Sequence, residues 1–401
     1  MKINIYSIYL LLLYMIASSF FGLVTLPVQK QDLILALSLM VIVFYMKELN
    51  AKSLNEDRHF YYFFLYGFFA SIVMAYLNFA QPVVYSMRAA RLLLVYSILI
   101  VALNILLKNV NIKKFYSTIV VLSFIIISIN FYVYLSGDTS LLSENATVLE
   151  RLGEIRIVIG AFSIIVFILF FYHHLSESKW FIIPLLGLLL TVVVVHKTRS
   201  VLFPLLIIMV IPLLRVYKAQ FVKVWMFFGA LILVSFIVSG YEKSIISPIT
   251  DLFMLLIEES QTTKHSNVNI RGLELAYFWN FLDEKSMIFG YGMENIQFKV
   301  LYVTHYHLSD IGLFNVFYLH GLVGSILYII IYWRLYRVSK RSNTPLHLTG
   351  RSIVYFQILS PSSIFLYSPE YMFLFFMFYI LIKNSNENMS KYIKNKGTQD
   401  A

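Results

Sequence analysis

Long apolar runs alternate with short polar connections from one end of the chain to the other. They predict twelve spans, at 3–26, 32–46, 60–79, 89–107, 115–136, 157–172, 180–195, 201–214, 224–240, 311–333, 352–366 and 370–382. An apolar run of about 20 residues is what a helix needs to cross a bilayer. The shortest runs, 32–46, 201–214, 352–366 and 370–382, are read as extending into their polar flanks, tilting less than their neighbours, or re-entering partway. The pattern therefore predicts an all-α polytopic membrane protein of about twelve transmembrane helices. Residues 1–240 carry helices 1–9, 241–310 form a large extracytoplasmic loop, 311–382 carry helices 10–12, and 383–401 form a cytoplasmic tail. The connection His196-Lys197-Thr198-Arg199-Ser200 is a tight turn between two spans.

Composition agrees. Of 401 residues, 59% are hydrophobic and 13% charged, about half the charged share of a soluble domain. Cysteine is absent, which excludes disulfides and thiolate metal sites. The net charge of +11 could suggest nucleic acid, but in a membrane protein the side on which each charge lies matters more. No nucleic-acid partner is expected. The first run, 3–26, is too long for a signal-peptide core and lacks a small-residue cleavage site, so it reads as the first span.

Basic residues set the orientation. With the N-terminus inside, the cytoplasmic segments hold 20 of the 32 Lys and Arg residues, and five of the remaining 12 lie in the long loop. Long loops translocate regardless of charge, so this excess places both termini in the cytoplasm and 241–310 outside. The 21 acidic residues split the other way, 6 inside and 15 outside. The loop is rich in apolar and aromatic residues, and two short amphipathic helices are expected near 247–258 and 272–282. A further surface helix is expected around Leu149 and Leu152, in the outer segment 137–155. A loop of such length inside a compact domain is usually functional; the simpler reading is a cap over the bundle.

Candidate chemistry gathers on the outer side. Arg88 and Arg91 begin the fourth span, Arg156 the sixth, Arg199 sits in the tight turn, and Arg271 lies in the loop. Arg88 and Arg91, three apart, share a helix face. A guanidinium offers phosphate a planar bidentate fork and stays charged. A single Arg there is most simply a side chain snorkelling to headgroups; the set on one face favours an anion site. His305, His307 and Asp310 stand just before the tenth span, where a carboxylate could orient a histidine base. Glu258, Glu259 and Glu274 are further outer carboxylates, and Tyr277, Trp279 and Tyr291 could stack on sugar rings. His173-His174 reads as a cytoplasmic loop feature. No zinc-protease helix motif, phosphate-binding glycine loop or nucleophile elbow occurs.

Several of these stretches together resemble the O-antigen polymerase/ligase-like superfamily, Wzy-type polysaccharide polymerases in particular. The order of elements is similar over nearly the whole length. Lys197-Thr198-Arg199-Ser200 resembles the family's Ser/Thr-Arg turn, and Arg271-Gly-Leu-Glu-Leu-Ala-Tyr-Phe-Trp279 its arginine followed by an aromatic helix. Ile288-Phe-Gly-Tyr-Gly292 resembles its hydrophobic-Gly-x-Gly step. His305-Tyr-His307-Leu-Ser-Asp310, leading to Gly321-Leu-Val-Gly324, resembles its histidine before a span with Gly-x-x-Gly. Arg156 matches an arginine often found entering the sixth span. The ligase branch typically shows His-Asn where this chain has His305-Tyr306-His307-Leu308, which favours the polymerase branch.

The resemblance implies a GT-C-type glycosyltransferase of the plasma membrane in O-antigen, lipopolysaccharide or capsule assembly. It would join undecaprenyl-diphosphate-linked repeat units at the outer face. Arg199 and Arg271, then Arg156 and Arg88 or Arg91, would hold the diphosphate, and His305 or His307 would act as base with Asp310. No cofactor or metal is implied. The partners implied are the lipid-linked donor and acceptor, membrane lipids and a chain-length regulator. A glycan ligase and, from a different class, a lipid-linked oligosaccharide flippase are the alternatives.

Overall fold

The computed structural model describes residues 5–23, 28–49, 51–108, 110–140, 142, 147–151, 154–196, 201–202, 204–209, 274–295, 312–360 and 367–397. Helices dominate them. Five described helices are long and apolar enough to cross a membrane: Arg58–Phe79, Val83–Lys108, Lys114–Ser136, Lys179–His196 and Leu313–Ser339. In chain order the helices are α1 (Ile5–Ala17), α2 (Ser19–Gly22), α3 (Lys30–Phe44), α4 (Ala51–Glu56), α5 (Arg58–Phe79), α6 (Val83–Lys108) and α7 (Ile112–Ser136). There follow α8 (Ala161–His174), α9 (Ile182–Leu190), α10 (Glu284–Phe289), α11 (Leu313–Ser339), α12 (Pro345–Leu359) and α13 (Pro369–Gly397).

Local sequence explains where these helices stop and start. Ala80 adopts the left-handed conformation after α5, and Pro82 follows two residues later. A left-handed residue closes a helix, and a proline just beyond cannot continue it. Proline also opens α12 and α13, where its missing N–H costs no intrahelical bond.

Packing sorts the helices into inner and outer. On α13 every residue from Tyr371 to Ile382 is buried. That stretch falls in one of the shortest predicted spans, and it is apolar all round because other helices surround it. Helix α8 is likewise buried from Ser163 to His174. By contrast α5 exposes Leu65, Phe69, Val73 and Tyr76, and α11 exposes Leu322, Ile326, Ile329 and Trp333. These spacings of three and four trace one face of each helix. A soluble bundle would make such faces polar; here they suit a solvent of lipid tails.

Two readings of the sequence are corrected. The segment around Leu149 is not a surface helix but an antiparallel hairpin, β1 (Thr147–Arg151) with β2 (Glu154–Val158). The β-branched Val148, Ile155, Ile157 and Val158 favour strand, and Ile157 is fully buried. His173 and His174 do not lie in a loop. They form the last turn of α8, where His173 Nε2 is 2.7 Å from Ser352 Oγ of α12 and His174 stacks on Phe170. In addition, residues 157–158, the expected start of the sixth helix, end β2.

Candidate functional site

Helix α11 is broken near its start. Gly321 has φ 65° and ψ −168°, so the helical bonds from the preceding turn cannot form across it. The carbonyls of Tyr318 and Leu319 instead accept from the backbone N–H groups of Tyr291, at 2.6 Å, and Gly292, at 3.3 Å. The stretch 290–292 is thereby inserted into the gap. The approach is so close that a Cβ on Gly321 would overlap the Ile288 carbonyl and the Gly290 nitrogen. Only glycine combines this clearance with a positive φ.

Side chains from α5 and the turn after it hold the inserted stretch. Asn78 Nδ2 donates to the Tyr291 carbonyl at 2.9 Å. Gln81, fully buried, donates to the Met293 carbonyl at 3.3 Å and accepts from the Asn295 N–H at 2.8 Å. Irregular backbone at membrane depth survives only where its polar groups are paired or line a cavity. Asp283 caps α10, accepting from Ser286 N at 2.7 Å, and hydrogen bonds from the Ser286 side chain and backbone together hold its carboxyl below the usual range.

His320, just before the break, is completely buried. Its Nε2 lies 3.0 Å from the Tyr367 hydroxyl and its Nδ1 3.4 Å from Ser71 Oγ. The Tyr66 hydroxyl donates to the His320 carbonyl at 3.2 Å. Three residues after Tyr367 comes Glu370, also buried. Its Oε1 accepts from Ser163 N at 3.2 Å and from Ser163 Oγ, and that hydroxyl also bonds to Tyr14. Two buried polar clusters thus meet at the start of α13. One offers an imidazole that can accept or pass a proton, and the other a carboxyl.

A third cluster stands where α9 runs into a π-helical turn, Thr191–His196. His196 Nε2 is 3.2 Å from Asn130 Oδ1, and Asn130 Nδ2 donates to the Ile159 carbonyl at 3.2 Å. The turn also packs against β2. Inserted π-turns recur at functional sites, and this one leads directly into 197–200.

No protein-family model and no curated protein matches the chain. The site therefore rests on its own geometry. Arg199, Arg271, His305, His307, Asp310, Glu258 and Glu259 lie outside the described residues. Arg156 stands within β2, paired in register with Leu149. Arg88 and Arg91 share the start of α6 but have different surroundings. Arg91 donates to both carboxylate oxygens of Asp32 at 3.3 Å and to Gln31 at 3.2 Å. Arg88 is exposed and lies over the Tyr85 ring, 5.7 Å from its centroid. Glu274 is buried. Of the aromatic candidates, Trp279 is half exposed and stacks on Phe317, while Tyr291 stacks on Tyr318 beside the break. Among the described residues, no three His, Asp or Glu side chains gather closely enough to hold a metal ion.

Sequence reasoning missed His320, Glu370 and Asn130. A signal existed for two of them. His320 immediately precedes the glycine of Gly321-Leu-Val-Gly324, and Glu370 is the lone acid of the apolar run 369–382. An ionisable residue inside such a run marks a functional candidate.

Proposed function

We propose that the protein is a Wzy-type polysaccharide polymerase, joining undecaprenyl-diphosphate-linked repeat units at the outer face of the plasma membrane, with both termini cytoplasmic. One observation carries the reading. Two of the stretches behind the resemblance, Ile288–Gly292 and Gly321–Gly324, lie far apart in sequence yet meet backbone to backbone at the break in α11. The long loop is thereby tied to the bundle where a reaction at the membrane surface would need a fixed floor. In the proposed reaction an acceptor sugar hydroxyl attacks the donor's anomeric carbon, and the lipid diphosphate leaves. Arg199 and Arg271, supported by Arg156 and by Arg88 or Arg91, stabilise the charge that builds on the leaving group. His305 or His307, oriented by Asp310, takes the hydroxyl proton.

Purified protein in liposomes, given a defined lipid-linked repeat unit, should yield a ladder of polymer and free lipid diphosphate. Arg199→Ala and Arg271→Ala should abolish the ladder while leaving membrane insertion intact; near-wild-type chain length in both removes them from the site. The broken helix also favours a second reading, since discontinuous helices surround the substrate sites of transporters. Loss of a flippase would trap the intermediate in the cytoplasmic leaflet, whereas loss of a polymerase would leave single-repeat surface glycan.

A further inference from the structure

Beside the first half of α7, a cavity of about 500 Å³ opens between α1 and α7 and is floored by α8 and α13. Its walls are apolar, with Leu11 and Ile8 on one side, Leu122 on the other, and Phe167 and Met377 behind. Apart from Tyr14, its polar lining residues stand near the starts of the two helices, Ser7 on α1 and Lys114, Ser117 and Thr118 on α7. Lys114 is exposed and, among the described residues, is the one charged residue lining the cavity. It belongs to a basic connection, 108–114, that contains Lys108, Lys113 and Lys114 and no acid. From Lys114 to Leu122 is eight helical residues, about 12 Å at the usual rise. That is close to the depth of one leaflet of a hydrocarbon core about 30 Å thick.

We propose that this cleft binds an anionic phospholipid, one acyl chain lying along α1 and α7 and the phosphate held at Lys114. Charge selects the occupant: a basic mouth above an apolar slot one leaflet deep fits a headgroup of net negative charge better than a zwitterionic one, whose ammonium offsets its phosphate. The headgroup end is separate from the polymerase reading: of the lining residues only Tyr14 also belongs to the Glu370 cluster, and Lys114, Ser117 and Thr118 belong to none of the clusters around His320, Glu370 or His196.

Native mass spectrometry of the full-length protein, released from nanodiscs containing equal phosphatidylglycerol and phosphatidylcholine, tests the headgroup. Phosphatidylglycerol should be retained over phosphatidylcholine by about tenfold, as one charge-assisted bond would give. Lys114→Ala should remove that preference, while Lys114→Arg and Lys179→Ala keep it, all measured on monodisperse protein. Phosphatidylglycerol carrying a photoreactive group in its acyl chain tests the slot. It should label Ile8, Leu11 and Thr118 more densely than the lipid-facing Phe69, Val73 and Ile326. No headgroup preference in the wild type, an unchanged preference in Lys114→Ala, or labelling no denser in the cleft than on those faces overturns the proposal.

Discussion

Gly321 and Gly137 share nearly the same φ, +65° and +66°, and differ in their surroundings. A Cβ at 137 would meet nothing within 4 Å, whereas one at 321 would overlap the backbone of Ile288 and Gly290. Alanine pays roughly 1–2 kcal/mol to adopt the left-handed region, and forced overpacking adds about 1–3 kcal/mol. Gly137→Ala should therefore lower thermal stability in detergent slightly, and Gly321→Ala distinctly more. Equal losses would mean that the close contact at the break carries no energy. The same position shows what a sequence leaves hidden. A His-Gly pair inside an apolar run reads as one more turn of helix, because the segment that replaces the lost helical bonds comes from about thirty residues upstream. Arg88 and Arg91 were legible as neighbours on one helix face. That Arg91 would be taken up by Asp32 was not, since it depends on how α3 packs against α6.

Between elements, small polar contacts decide how firmly each join is held. The Arg91–Asp32 pair links α6 to α3 with side chains 27% and 43% exposed. Pairs this exposed contribute about 0–1 kcal/mol. Asp32→Asn should accordingly shift the unfolding midpoint little. If Arg91 also serves the diphosphate, that variant should leave polymer yield intact while Arg91→Ala lowers it. The cap on α10 is a sharper test, because α10 leads directly into the inserted stretch. Losing an N-cap aspartate costs about 1 kcal/mol, so Asp283→Ala should raise hydrogen exchange at 286–292 above that of α5. The Asp283 carboxyl titrates below its usual range because of its bonds to Ser286. Its contribution is therefore complete above the unfolded carboxyl value of about 4, and it fades as the pH falls through the lower folded value. Exchange at 286–292 should rise on acidification in the wild type and stay flat in Asp283→Ala. The hairpin was harder to read than α10. Leu149 and Leu152 fit a helical spacing, and the β-branched residues that favour strand crowd mostly into its second half.

Across the whole molecule, the apolar pattern revealed a membrane protein, while the order of burial emerged only from packing. Short runs such as 370–382 looked like marginal spans, yet α13 proves to be the helix that the others enclose. Its middle is fastened by a buried ion pair. Asp57, with no exposed surface, accepts from Lys383 at 2.9 and 3.0 Å, from Tyr379 at 2.9 Å and from Asn104 at 2.9 Å. One carboxylate thus joins α13 to α6 and to the turn that opens α5. Removing one partner of such a pair strands a buried charge and costs about 3–5 kcal/mol, whereas replacing both with apolar groups is often neutral. Lys383→Met should therefore strongly lower the unfolding temperature, and Asp57→Leu combined with Lys383→Met should recover most of the loss. The single variant should also loosen the start of the helix, because Glu370 stands in its first turn and Tyr367 just before it. Protection of backbone amides around His320 and Ser163 should fall in Lys383→Met and return in the double variant. Unchanged protection there would show that the start and the middle of α13 are held independently.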